Sequence, residues 1–497
     1  MGFLRLLLDV PASSLLCLSI LAYFTYRWWR LSHIPGPWLA SWSYLWIAKH
    51  LIRGDTSRIM TGFPSYGPLV RIGPDYLLTS DPEVLDQMSR ARSPYNRHEW
   101  YLGGKFDPEH NNVLTILDKD KHDAHKQRLA SGYGGRDGVN IEDSVNHMVR
   151  ELIAAIRNRY LLKDVDLNVL VRHFTVDVIT RLCYGEEFGF IKAGEDLYSF
   201  SESAEKTARL FCLFIDIPVL RWLAVSRFSP VAKWLRPKAT DRKGFGKAMG
   251  IARELITERY KQGSQDASDM IGSFMRHGLS QKQTEAEIVV QLFAGTDTTA
   301  TAIRVTLLYI ITTPRVYHRL KSTVRQAVQS RLASNPVTLE EARQLPYLQA
   351  VLYEGLRMRP PPIYGQFKKV PAQGDIINGI PIPAGTAIGA NYIAMQRCKK
   401  TFGEDVELFR PERFLECSPE QRKSMEQMVE ICFSRGRWMC PGKLLAFTEM
   451  NKVYFEIMRH FDLQVKYPGK AWEEESLALW VQRNIIVNIV EDSYPTL

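Results

Sequence analysis

The chain has no Cys-x-x-Cys pair. Its seven cysteines (Cys17, Cys183, Cys212, Cys398, Cys417, Cys432 and Cys440) are odd in number and widely spread. That pattern argues against a zinc ribbon and a disulfide framework alike, and a reducing compartment fits it. Beyond residue 40 there is no Gly/Ser-rich or Pro-rich linker, no low-complexity tract and no internal repeat. Length alone sets a prior of about three domains, but without linkers one large, mostly helical unit is the better reading. The net charge of +10 is spread along the chain, with no Lys/Arg block to suggest nucleic acid. It leaves a solvated basic surface, which suits an acidic protein partner or an anionic membrane.

The first forty residues differ from the rest. Val10–Tyr26 carries no charge, YRWWR follows, and then the stiff elbow IPGP. A cleaved signal peptide is the alternative, but no small-x-small site follows and aromatics sit where an interfacial belt would. The frame from Leu6 to Trp29 is long enough to span, with Asp9 near one end. Arg5 precedes it while Arg27, Arg30 and His33 follow, so the positive-inside rule puts the body in the cytosol. Around 220–237, RWLAVSRFSPVAKWLRP interleaves Arg221, Arg227, Lys233 and Arg236 with Trp222, Phe228 and Trp234. This pattern suits a second membrane contact as well as an ordinary amphipathic surface helix.

Chemistry concentrates in four stretches. FSRGRWMCPGK (433–443) sets Cys440 among glycines, arginines, a tryptophan and a proline. A core thiol, half a disulfide, a nucleophile and a metal ligand all compete for it. Pro441 suits a first helical position, and the apolar spacing of GKLLAFTEMNKVYFEIMRHF predicts a helix from there. Free N–H groups at that terminus favour a thiolate. Gly436 and Gly442 permit tight turns and leave one side bare for a flat ligand. No base accompanies the thiol, so a thiolate ligand to haem iron accounts for the punctuation best.

Ile288–Thr312 is too apolar for a surface helix, and Thr284 with Glu287 forms a plausible capping box at its start. In its middle stands Ala294-Gly295-Thr296-Asp297-Thr298-Thr299. Hydroxyls there can bond the carbonyl four residues back and loosen the helix. The stretch is either a packing notch or an opening that brings an acid and an alcohol together for proton delivery.

Leu345–Pro360 reads as a helix with Glu354 and Arg357 on one face, alone a surface ion pair worth at most about 1 kcal/mol. Arg413 of FRPERF could make it a buried three-way network. DKDKHDAHKQRLASGYG (118–134) is a basic, His-bearing stretch of the kind that usually forms a solvated helix face.

Together these stretches resemble the cytochrome P450 superfamily over nearly the whole chain, most like fungal membrane-anchored members of the pisatin demethylase type. Phe433, Gly436, Cys440 and Gly442 match the haem loop, AGTDTT the oxygen-activation helix, EGLR the Glu-x-x-Arg helix and PERF the meander. The resemblance implies a mainly α fold with small β-sheets (α+β). A haem b would lie between a long central helix and the cysteine loop, with Cys440 as axial thiolate. It further implies an anchor at 1–30, a proline-rich hinge at 31–40 and a catalytic domain at 41–497, facing the cytosol from a single pass in the endoplasmic reticulum.

Asp297 and Thr298 would relay protons; Glu354, Arg357 and Arg413 would hold the loop. One position departs from the family. Arg usually stands two residues before the cysteine and binds a propionate; here Trp438 does, preceded by Arg437. The usual Trp-x-x-x-Arg contact becomes His122-x-x-x-Lys126, and Lys368 takes another common Arg position, so cations remain but without the Arg fork. Implied pocket residues are Tyr101, Phe106, Phe293, Ala294, Ile363 and Tyr364, suiting an apolar small molecule of fungal secondary metabolism. Electrons would come from a separate NADPH–cytochrome P450 reductase, with cytochrome b5 as a second donor. A haem-thiolate isomerase or dehydratase that uses no O₂, or a non-catalytic haem protein, would not need the Asp–Thr pair.

Overall fold

The computed structural model describes residues 12–492 except 108, 227, 228, 230–235 and 264. The chain begins with helix α1 (Ala12–Arg30) and continues through strands β1 (Leu69–Arg71), β2 (Tyr76–Thr79) and β3 (Asn96–Arg97). Six main helices follow: α2 (Lys119–Tyr133), α3 (Ile141–Ala155), α4 (Leu167–Tyr184), α5 (Phe200–Asp216), α6 (Gly244–Gln262) and α7 (Gln281–Thr312). Helix α8 (Pro346–Met358), strands β4 (Tyr364–Lys369) and β5 (Ala387–Asn391) and helix α9 (Lys443–His460) complete the frame, with shorter elements between. Helices dominate and the sheets are small, as expected of an α+β chain of this type.

Helix α7 is buried along most of its length because its residues are apolar all round, and α4 and α9 pack against it. Its cap is one turn earlier than expected. Ser280 and Gln283 form the capping box, while Thr284 and Glu287 are buried. Glu287 Oε1 instead accepts from the Val113 N–H at 2.7 Å and meets His125 Nε2 at 2.6 Å.

The largest sheet has the order β1-β2-β5-β4-β3. β2 and β5 run parallel and the other neighbours antiparallel. Its edge strand β3 sets Asn96 opposite Lys369 and Arg97 opposite Lys368.

The proline elbow is packed against this sheet. Arg71 N–H donates to Pro35 O at 2.8 Å, and a Cβ on Gly36 would stand 2.3 Å from Arg71 O, so only glycine fits. The Arg71 guanidinium in turn donates to the Trp28 and Arg27 carbonyls and caps the end of α1. Among the described residues no helix is long and apolar enough to cross a membrane. The expected span begins at Leu6, and residues 1–11 lie outside the described residues. Helix α1 nevertheless exposes Leu16, Leu21 and Trp29, the last at 66%.

The stretch at 220–237 corrects the amphipathic reading in one respect. Arg221 is 6% exposed and donates to the Tyr76 hydroxyl at 2.9 Å and to Ile215 O at 2.7 Å, so it is a buried tie rather than a wet charge. Trp222 is 65% exposed. Arg227, Phe228, Lys233 and Trp234 lie outside the described residues.

Candidate functional site

The cysteine loop is built by backbone constraint. Ser434 and Gly436 take positive φ (60° and 53°), and a Cβ on Gly436 would lie 2.2 Å from Ser89 O. Cys440 N–H donates back to Phe433 O at 2.7 Å, closing the loop, and the Phe433 ring packs 5.6 Å from Phe447 on α9. The helix begins at Lys443 rather than Pro441, with Gly442 as its cap. Cys440 is exposed in the chain alone. The surrounding protein nonetheless pushes its thiol up by desolvation, against the N–H groups of Gly442 and Lys443 and the cations Lys126 and Lys443. The expected donors are present, but without a further positive centre they do not outweigh burial.

Glu354, Arg357 and Arg413 meet as a fully buried network. Arg357 Nε and Nη2 grip Glu354 at 2.7 and 2.9 Å, and Arg413 Nε reaches the same carboxylate at 3.0 Å. The remaining guanidinium protons go to backbone carbonyls of Gln396, Val406 and Leu408 and to Asp405. The network therefore ties α8 to the coil that precedes the cysteine loop.

Around Trp438 the chain gathers buried positive charge. Arg97 and Lys368 lie 4.9 and 5.1 Å from its ring centre, and the His122 ring packs against it, tilted by 47°, at 4.7 Å. Burial, then Arg97, Lys126 and Lys368, pushes His122 down to about 2, so it is neutral. Burial and Arg97 push Lys368 well below its usual range. Lys126 Nζ donates to Arg437 O and Met439 O at 2.9 and 2.6 Å, bracing the loop from α2. One carboxylate, Asp123, comes near, with Arg437 Nη1 3.6 Å away and not hydrogen-bonded. Arg97 Nε, Arg437 Nε and Nη1 and Trp438 Nε1 are all buried without partners. Buried donors of this kind ask for acceptors. The residues present fit the two carboxylates of a haem beside an accessible thiol.

Helix α7 presents a polar notch to the opposite side. Ala294 is exposed and Phe293, Gly295, Asp297 and Thr298 are half-buried on an otherwise buried helix. Thr298 Oγ1 donates to Ala294 O and Thr296 Oγ1 to Leu292 O, both at 2.7 Å, yet the helix runs unbroken. Asp297 faces away from Thr298's bond: its carboxylate accepts from Arg172 Nε of α4 at 2.9 Å.

Phe106 and Phe293 meet at 5.4 Å, joined by Phe211 of α5 and Phe245 of α6. Ile363, by contrast, is fully buried in the core. Tyr364 turns its hydroxyl to Asp216 at 2.5 Å, and Tyr101 stands in the cation cluster with its hydroxyl 2.9 Å from Lys368 Nζ. These three fill the walls rather than an opening.

Arg97, Arg172, Phe211 and Phe245 were not anticipated. Arg172 carried a signal, being a charge within the apolar LNVLVRHFTVDVI; a buried arginine requires a partner. Arg97 carried none, since its strand is two residues long.

The family described as Cytochrome P450 matches residues 33–488. Cytochrome P450 monooxygenase aba1 of Botryotinia fuckeliana (strain B05.10) is 43% identical over 472 residues, 93% of this chain and 92% of the relative. Cytochrome P450 monooxygenase ABA1 of Pyricularia oryzae (strain 70-15) is 40% identical over 477 residues, 93% of each. Cytochrome P450 monooxygenase abl1 of Leptosphaeria maculans is 42% identical over 463 residues, 90% of this chain and 81% of the relative.

Proposed function

The chain belongs to the cytochrome P450 family and is a monooxygenase, and from that premise we propose that the Cys440 thiolate would hold the iron of its haem. The single observation that carries this is the open Cys440 thiol, flanked by the N–H groups of Gly442 and Lys443 and set beside buried Arg97 and Lys368, which make no ion pair among the described residues. Arg97, Arg437, Lys126 and Lys368 hold the propionates, with neutral His122 as a packing neighbour. Phe433, Gly436 and Gly442 shape the loop, while Glu354, Arg357 and Arg413 hold it in place. When bound, a thiolate-ligated haem supplies reductive activation of O₂ and transfer of one oxygen atom to substrate.

The Thr298 hydroxyl holds a proton at the open face of α7, and Asp297, once Arg172 releases its carboxylate, takes up a proton from water and passes it on. Phe106 and Phe293, with Ala294 between helix and opening, keep water out and orient an apolar small molecule. Electrons come from a separate NADPH–cytochrome P450 reductase, with cytochrome b5 as a second donor. The N-terminal 30 residues hold the protein at the endoplasmic reticulum membrane with its body in the cytosol. The exposed apolar side chains of α1 and the outward Trp38 and Trp222 support that placement.

The test is to incubate membranes carrying enzyme and reductase with a panel of terpenoid, polyketide and alkaloid-like compounds, with and without NADPH. An NADPH-dependent product heavier by one oxygen atom is expected; isomerised or dehydrated products formed without NADPH overturn the oxygenase chemistry at this site. Secretion of the full-length chain overturns the topology.

A further inference from the structure

We infer that Trp438 replaces the family's missing arginine by two means: its indole N–H donates to a haem propionate, and its ring seats Arg97 and Lys368 at the same carboxylate. The inference rests on the haem-thiolate reading above and concerns residues on three separate elements, the cysteine loop, β3 and β4.

The first support is the register of the sheet. Arg97 and Lys368 are directly opposite in the β3–β4 pair, both buried, and neither makes an ion pair among the described residues. Like charges placed opposite each other disfavour the pairing. The arrangement makes sense around an anion shared between them.

The second is the alternation of rings and cations. Arg97 lies 4.6 Å from the Tyr101 ring centre and 4.9 Å from that of Trp438, and Lys368 lies 5.1 Å from both. Each cation thus has two aromatic neighbours, and such contacts strengthen when desolvated. An arginine at 438 would instead add another positive charge to Arg97, Lys368, Lys126 and Arg437. The aromatic residue collects cations where the family residue would repel them.

The third is the sign of the unmet demand. Trp438 Nε1, Arg97 Nε, and Arg437 Nε and Nη1 are donors, buried and unpartnered. An indole nitrogen can only donate. Four unmet donors here, against one unmet acceptor nearby, Glu287 Oε2 on α7, point to an anionic acceptor.

The experiment uses the full-length holoprotein and compares wild type with Trp438→Phe, which keeps the ring and loses the N–H, and Arg97→Gln. Haem transfer to apomyoglobin and the haem reduction potential are measured, with circular dichroism as the check on folding. Losing a hydrogen bond to a charged group should speed transfer roughly 10- to 100-fold. The potential should fall, because a less compensated propionate favours the ferric state. A tryptophan that merely fills space would leave the potential unchanged, and unchanged transfer and potential in Trp438→Phe overturn the proposal. Should that variant not fold, Arg97→Lys, which keeps the charge but loses the fork, is read the same way. Wild-type protein that carries no haem would overturn the underlying haem reading, a result distinct from either.

Discussion

Arg172 Nε donates to Asp297 Oδ1 at 2.9 Å, and Arg172 Nη1 donates to Glu205 Oε1 at 2.6 Å. A buried guanidinium on α4 therefore holds both the acid of the α7 notch and a carboxylate of α5. The proposed proton supply from Asp297 would require this grip to loosen, whereas Thr298 bonds to Ala294 of its own helix.

The two residues should consequently fail differently. Thr298→Ala should leave haem and substrate binding intact. NADPH consumption should persist while product per NADPH drops, with reduced oxygen leaving as peroxide. General acid help is typically worth about 10²–10⁴-fold, but water replaces part of a lost hydroxyl, so the rate should fall less. Asp297→Asn should lower coupling too, and also destabilise the fold on the order of 1–3 kcal/mol by weakening a bond to a charged group. Peroxide yield and thermal unfolding measured together separate the cases. Normal coupling in both would make the notch a packing feature.

Cys440→Ser should abolish turnover and remove the red-shifted band that thiolate ligation gives the reduced carbonyl complex. A serine variant with an unchanged spectrum would remove Cys440 from the site.

Glu354→Ala should be among the most damaging changes outside the site. It leaves Arg357 and Arg413 buried without their shared carboxylate, at a cost of about 3–5 kcal/mol for a broken buried pair. Thermal unfolding should shift down and haem retention with it, because the network holds the coil before the cysteine loop. Unfolding and retention equal to wild type would show that the network does not support the loop.

Asp216 predicts a pH dependence. It accepts from Trp100 Nε1 at 2.6 Å and from the Tyr364 hydroxyl at 2.5 Å, pinning the end of α5 to the sheet. Burial pushes its carboxyl up to about 6, against those two hydrogen bonds. A raised carboxyl pKa means that the folded protein holds the proton more tightly than the unfolded chain. The contribution is complete below the ordinary value of 3.8 and is lost as pH rises through about 6. Asp216→Asn should flatten the pH dependence of thermal unfolding across that window. A variant with the same slope as wild type would assign the effect to other groups.

Much of the site was legible because its parts are contiguous in sequence. The cysteine loop, the Glu-x-x-Arg pair on α8 and the PERF turn each carry their geometry within a few residues. Composition likewise pointed to a buried α7, although its cap was placed a turn late because Thr284 and Glu287 mimic a capping box that Ser280 and Gln283 form. What could not be read depends on distant residues meeting. Arg97 reaches Trp438 only through a two-residue strand paired with β4, and Phe211 joins Phe293 only through the crossing of α5 over α7. Tyr101, Ile363 and Tyr364 were assigned by position in the chain, and the long-range contacts that bury them are not written in that position.

A newly made chain must lay Arg97 beside Lys368 before any counter-charge reaches them. Strand β3 is short and lies at the sheet margin, where repulsion between facing like charges weakens the pairing. An anion shared by the two side chains would relieve that repulsion, and whatever binds only the finished form stabilises it. The stability of this sheet margin would therefore rise with occupancy of the site between Arg97 and Lys368.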